Sequence, residues 1–252
     1  MSEHKKTALV TGASSGLGAE FCRQLSAQCE VVIAVARRRE RLEGLREELA
    51  GNTQVHVIEA DLLSVEGLAR TLEALRQKGP VDILVNNAGF SPYGDFAATE
   101  IGIQRDMLSL HCDASISLCR AAIPFMQELG GGHIINVSSL GAFLPGRKLA
   151  VYGASKAFLN YFSLSLQQEL ESTGITVQAL CPGLVRTEIH EPMKAQGFDT
   201  EAFPDDMWMQ SEDVVSASLA ALGNGRVLVI PGEGSLALAR MGAQATLDAL
   251  GD

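Results

Sequence analysis

Apolar residues in this chain fall into two kinds of run, and the two kinds alternate. Short, continuously apolar runs at 7–11, 31–36, 54–59, 82–85, 133–137, 175–180 and 226–230 read as buried strands. Between them, apolar residues recur every three or four positions. That spacing predicts helices over 19–28, 40–49, 65–78, 103–129, 152–171, 212–222 and 236–250. Gly79-Pro80 stops one helix, Pro182-Gly183 stops one strand, and Pro124 is expected to kink the longest helix near its end. Residues 184–210 show no period and read as an irregular loop.

Strands that are apolar throughout, rather than at every second residue, are covered on both faces. Their alternation with helices predicts an α/β fold, a doubly wound (Rossmann-type) parallel seven-stranded sheet with helices on both faces. No repeat, linker or low-complexity segment interrupts it. Residues 1–252 therefore read as one domain, with a long loop at about 184–210 and a helical tail at about 235–252.

Composition narrows the partners. The chain is 46% hydrophobic and 20% charged, an ordinary globular balance. Its net charge of -10 comes from dispersed acids, which argues against nucleic acid and anionic membrane surfaces. No apolar stretch approaches the ~20 residues that span a bilayer, and the N-terminal residues lack a signal-peptide core, so a cytoplasmic protein is expected. Cys22 and Cys29, like Cys112 and Cys119, are seven apart on predicted helices, about 10 Å along the axis. That is too far for a disulfide. Together with Cys181 they read as reduced thiols packed as small hydrophobes. His4, His56 and His133 show no ligand spacing, and no metal is expected.

The chemistry concentrates at three places. The first is Gly12-Ala13-Ser14-Ser15-Gly16-Leu17-Gly18, between the first strand and the first helix. Glycines there allow a sharp turn and close approach of a pyrophosphate, and the free N–H groups of a helix start attract the anion. A tight turn without a ligand is the competing reading. The second place is the end of the second strand, where an NAD site usually offers an acid. Here Arg37, Arg38 and Arg39 precede Glu40. Cations at a helix N-terminus oppose its dipole unless an external anion such as a 2′-phosphate neutralises them. The alternative is a solvated charge run balanced by Glu40, Glu43 and Glu47. This feature favours NADP over NAD. The third place is Ser138-Ser139 at the end of the fifth strand, with Tyr152 and Lys156 four apart on the following helix. Residues i and i+4 share a helix face, so phenol, ammonium and hydroxyl can converge for proton transfer to or from an oxygen.

Taken together, TGASSGLG at 11–18, Asp61, NNAG at 86–89, Ser139, YGASK at 152–156 and Pro182-Gly183 resemble the short-chain dehydrogenase/reductase family, in order and in spacing. The resemblance runs from Thr7 to about Gly232. It implies an oxidoreductase that moves the pro-S hydride between nicotinamide and a carbonyl or secondary alcohol carbon. In that role Tyr152 is the general acid/base, Ser139 hydrogen-bonds the substrate oxygen, and Lys156 holds the nicotinamide ribose and lowers the tyrosine pKa. The resemblance also implies a cofactor site of Gly12, Ser14, Ser15, Gly16, Leu17 and Gly18, with Asp61 and Leu62 at the adenine. Asn87, Ala88 and Gly89 would line the adenosine ribose, and Pro182, Gly183, Val185 and Thr187 the nicotinamide. Arg37 would clasp the 2′-phosphate with Arg38 and Ser14 near it. His111 stands where the family often has an Asn that supports a proton relay; it is either a tolerated replacement or a proton carrier. A homotetramer or homodimer through helices 103–129 and 152–171 is also implied.

The substrate is expected between Phe143 and Leu144, Leu184, and the loop residues Met193 and Trp208. Their apolar character suggests a hydrophobic carbonyl or alcohol; Arg186, Glu188 and His190 could instead meet a polar one. The rival to an enzyme is a non-catalytic dinucleotide-binding redox sensor or scaffold, against which the intact Ser139, Tyr152 and Lys156 argue.

Overall fold

The computed structural model describes residues 4–251. Seven strands form one parallel sheet: β1 (Thr7–Thr11), β2 (Val31–Ala36), β3 (Gln54–Glu59), β4 (Ile83–Asn86), β5 (Gly132–Val137), β6 (Ile175–Leu180) and, at the edge, the short β9 (Leu228–Val229). Their order is β3-β2-β1-β4-β5-β6-β9. β1, β2 and β4 are buried along their whole length, which is why their sequences do not alternate.

Neighbouring residues of one strand serve opposite cores. Ala8 and Val10 pack with Phe21, Leu25 and Leu42, under α1 (Gly16–Leu25), α2 (Arg39–Leu49) and α8 (Ser211–Ala220). Leu9 packs with Leu75, Leu118, Met126 and Leu166, under α3 (Val65–Lys78), α5 (Ala114–Glu128) and α6 (Ala150–Glu169). The sheet is thus sandwiched, and its winding reverses between β1 and β4. In such sheets the ligand crevice opens at the carboxyl ends of the strands beside that reversal.

Three expectations change. The first helix starts at Gly16 rather than at 19, because its glycines hide the beginning of the apolar stripe. The longest helix is interrupted, but not at Pro124, which lies within a continuous α5. The interruption is one π turn at Ser109–Asp113, after α4 (Ile101–Leu108). There the buried Ser115 hydroxyl donates to the His111 carbonyl at 2.7 Å. Third, residues 184–210 are irregular only in part. The strands β7 (Leu184–Val185) and β8 (Trp208–Met209) pair in parallel, Leu184 with Trp208 and Val185 with Met209. This ladder draws the ends of the segment together around α7 (His190–Ala195), making a strap with a closed base. The tail is α9 (Glu233–Asp248).

Among the described residues, no helix is long and apolar enough to cross a membrane, and no cluster of three or more acidic, His or Cys side chains is arranged to hold a metal. All five cysteines are free, and all but Cys112 are buried.

Candidate active site

The glycine turn is fastened to the loop after β4 by backbone and side-chain hydrogen bonds. The Thr11 hydroxyl donates to Val85 O and accepts from the N–H groups of Asn87 and Ala88, at 2.9 and 3.0 Å. The Asn87 amide donates to Thr11 O at 2.9 Å. Gly12 turns with φ +67°, and a Cβ on it would lie 2.7 Å from that amide nitrogen. Only glycine meets both demands. Ser15 begins α1 without a side-chain cap, and the first turn holds no acid. The helix start therefore offers bare donors and a positive dipole end to an anion. Asp61 accepts from Leu63 N at 3.1 Å in the turn leading into α3, and Leu62 is buried.

Ser139, Tyr152 and Lys156 are drawn together between β5 and α6. The Ser138 hydroxyl donates to Lys156 O at 2.9 Å, and Lys156 Nζ donates to Val137 O at 2.9 Å. These two bonds lash the helix to the strand end. Lys156 Nζ lies 5.7 Å from the centre of the Tyr152 ring. Ser139 Oγ accepts from Gly141 N at 3.0 Å, which leaves its own proton free to donate. Burial pulls the Lys156 ammonium down to about 8. Burial also raises the Tyr152 phenol, with hydrogen bonding to Ser139 opposing it. The lowering of this tyrosine expected from Lys156 is not found in the protein alone, where the only opposing influence is Ser139.

His111 is committed on both ring nitrogens. Nε2 accepts from Phe90 N–H at 3.2 Å, so the single ring proton sits on Nδ1 and is donated to Ser155 Oγ at 2.9 Å. Ser155 Oγ donates onward to Tyr152 O at 2.7 Å. Burial and the nearby Lys156 charge hold the imidazole well below its ordinary pKa, hence neutral. Gly89 makes room for it, since a Cβ there would stand 2.6 Å from His111 Nε2.

At the other end of the cleft, Arg38 reaches back from the start of α2. Its guanidinium donates to Ser14 Oγ at 3.0 and 3.1 Å and to Ser15 Oγ at 2.6 Å. It also pairs with Glu188 at 2.8 Å, and Arg41 pairs with the same carboxylate. Arg37 is exposed and has no hydrogen-bond or ion-pair partner among the described residues. The arginine brought to the glycine turn is therefore Arg38. Arg41 and Glu188 had no signal in this role, because their pairing links positions far apart in the chain.

Pro182 O accepts from Leu140 N at 2.8 Å, setting the loop after β6 against that after β5. A Cβ on Gly183 would meet Ser235 Oγ of α9 at 2.5 Å. Val185 is buried, and Thr187 lies over Gly16. Phe143 and Leu144 pack under α9 at Gly242, and Leu184 lies on β7. Met193 is buried on α7. Trp208 meets His190 edge to face at 5.0 Å and, with Ser15 and Gly16, lines a groove of about 960 Å³ that does not reach Tyr152. The strap crosses to the loop after β4, where Tyr93 N donates to Gln196 Oε1 at 2.6 Å and the Tyr93 ring meets Phe198 at 5.2 Å.

The chain has known relatives. The family model described as short chain dehydrogenase matches residues 6–197. The chain is 34% identical to the NADP-dependent 3-hydroxy acid dehydrogenase YdfG of Escherichia coli K12 over 215 residues, covering 83% of this chain and 86% of that one. Among solved structures it is similar to a short-chain dehydrogenase from Sphingobium yanoikuyae in complex with NADPH, with a TM-score of 0.84 and 31% identity over 97% of this chain and 95% of that one. It is also similar to a bulky-bulky ketone specific alcohol dehydrogenase from Comamonas testosteroni, with a TM-score of 0.80 and 29% identity over 96% and 95%. The chain belongs to the short-chain dehydrogenase family, a class of oxidoreductases.

Proposed function

We propose that the protein is an NADP(H)-dependent oxidoreductase acting between a carbonyl and a secondary alcohol of a small, apolar substrate. The observation that carries this reading is the cleft's division of labour. Ser139, Tyr152 and Lys156 stand at one end, and an arginine on two serine hydroxyls of an uncapped helix start stands at the other. The NADP-dependent relative and the NADPH-bound neighbour support the same cofactor. Gly12, Gly16 and Gly18 leave the turn bare for a pyrophosphate, and Ser14, Ser15, Arg38 and Arg41 would hold the 2′-phosphate, with Arg37 beside them. The dinucleotide, when bound, supplies the hydride and, in oxidised form, a positive charge that offsets burial of the phenol.

Tyr152 exchanges the proton on the substrate oxygen. Ser139, already accepting from Gly141 N, donates its hydroxyl to that oxygen. Lys156 spends one donor on Val137 O and keeps two for ribose hydroxyls. His111 acts as a neutral strut between Phe90 and the Tyr152 turn, not as a proton carrier. The strap excludes water over the site. Exposed Leu108 and Ile116, with Phe158, Tyr161 and Leu164 on α6, support a dimer or tetramer built on these helices, which sedimentation of the purified chain tests. The principal test follows NADPH absorbance with a panel of ketones, aldehydes and diketones, beside Tyr152→Phe. Turnover by the wild type alone is expected; tight NADPH binding without turnover in either direction would sink the enzyme reading.

A further inference from the structure

The strap and the arginine pair are joined by one carboxylate. Glu188 leaves the β7–β8 ladder one residue after Thr187, which lies over Gly16 of the glycine turn. The ladder is extended by Arg186 N–H donating to Met209 O at 3.0 Å, and Glu188 O accepts from Glu191 N at 3.1 Å as α7 begins. The backbone therefore presents Glu188 at a fixed place. There it pairs through Oε2 with Arg38 Nη1 and through Oε1 with Arg41 Nη1. Arg38 thus divides its donors between two groups, Ser14 and Ser15 on the glycine turn and Glu188 on the strap.

We propose that Glu188 is a resident counter-anion on the phosphate-binding arginines, and that it sets how strongly this chain discriminates dinucleotides with a 2′-phosphate from those without one. The proposal rests on the NADP reading above and assigns a residue that the reading does not use. A phosphate dianion brought to Arg38 and Arg41 competes with the carboxylate for the same donors and is repelled by it. At a few ångströms, in solvent-like surroundings, that repulsion weakens binding by roughly tenfold. The Glu188 carboxyl is held down to about 2 by its two arginine hydrogen bonds, so it stays charged at every working pH. The three side chains are about half exposed, at 45%, 49% and 48% for Arg38, Arg41 and Glu188. Such pairs are weak, so a phosphate can displace the carboxylate, and doing so removes the strap's side-chain tie to Arg38 and Arg41. A dinucleotide ending in a ribose 2′-hydroxyl brings no charge to displace it and leaves the strap tied.

The test is equilibrium binding of four probes, NADPH, NADH, 2′,5′-ADP and 5′-ADP, to the wild type and to Glu188→Gln, which keeps size but removes charge. Glu188→Gln is expected to bind NADPH and 2′,5′-ADP about tenfold more tightly, with NADH and 5′-ADP unchanged. Limited trypsin digestion gives a second readout. Cleavage within 184–210 should be accelerated in the wild type by 2′,5′-ADP but not by 5′-ADP, and should be fast in Glu188→Gln from the start. Weaker NADPH binding by Glu188→Gln would mean that the carboxylate orients the arginines, and would overturn the proposal. So would an equal shift for all four probes. A wild type that prefers NADH overturns the cofactor reading itself, whereas a preference for NADPH that Glu188→Gln leaves unchanged overturns only the role of Glu188.

Discussion

The two ends of the cleft are built from opposite materials. Around Tyr152 the supporting contacts are mostly buried and, apart from the Lys156 ammonium on Val137 O, neutral: His111 to Ser155, Ser155 to the Tyr152 carbonyl, and Ser138 to the Lys156 carbonyl. Around Arg38 they are charged and half exposed, and they tie the sheet's own loops to the strap. Neutral buried hydrogen bonds cost most when one partner is lost, and they hold one geometry. Exposed ion pairs are screened, exchange easily and respond to an incoming charge. The end proposed to do the proton chemistry is therefore fixed, while the end proposed to read the cofactor's charge can yield.

The largest effect expected from breaking this contrast is at Tyr152. Tyr152→Phe should lower turnover by about 10²–10⁴-fold, the range for losing a general acid/base, with NADPH binding retained in a fluorescence titration. Arg38→Ala should weaken binding of 2′,5′-ADP by about 10–100-fold, the loss of a charge-assisted hydrogen-bonding group. It should leave 5′-ADP binding within a few-fold, as measured by calorimetry. Gly89→Ala places a methyl against His111 Nε2 and should cost about 1–3 kcal/mol by overpacking, read from denaturant unfolding.

The smallest effect is a change of slope. His111 titrates well below its ordinary value in the folded chain, so below pH ~6.5 the unfolded state binds a proton that the folded state does not. Stability contributed by this histidine is present above that pH and is lost as pH falls. His111→Asn should flatten the acid side of the melting-temperature profile relative to the wild type. An unchanged slope would mean that the ring is not held neutral.

The strands and most helices were legible because burial on both faces writes continuous apolar runs, and amphipathic helices write a period. The strap was not, because a two-residue strand such as Leu184–Val185 has no period to detect. The π turn was hidden because it changes hydrogen bonding without changing the polarity pattern. Among the site residues, Ser139, Tyr152 and Lys156 could be read from the ends of elements. The choice of Arg38 over Arg37 at the glycine turn depends on which of two adjacent side chains faces Ser14, and strand and helix periods do not encode that at a junction. Glu188 could be read as a residue that meets a polar group; its partners turned out to be cations of the chain itself.

The π turn also has a consequence for the outside of the molecule. Seven residues make nearly two full turns of an α-helix, so Ile101 and Leu108 lie on one line along it. Leu108 and Ile116 are eight apart, and an uninterrupted α-helix would rotate Ile116 by about 80° off that line. The wider turn at Ser109–Asp113 absorbs the extra residue, which by helix geometry returns Ile116 toward the line of Ile101 and Leu108, all three of them exposed. The same local insertion that seats His111 against Ser155 thus sets the register of the helix's outer surface. Deleting one residue there would disturb both sides of the helix at once.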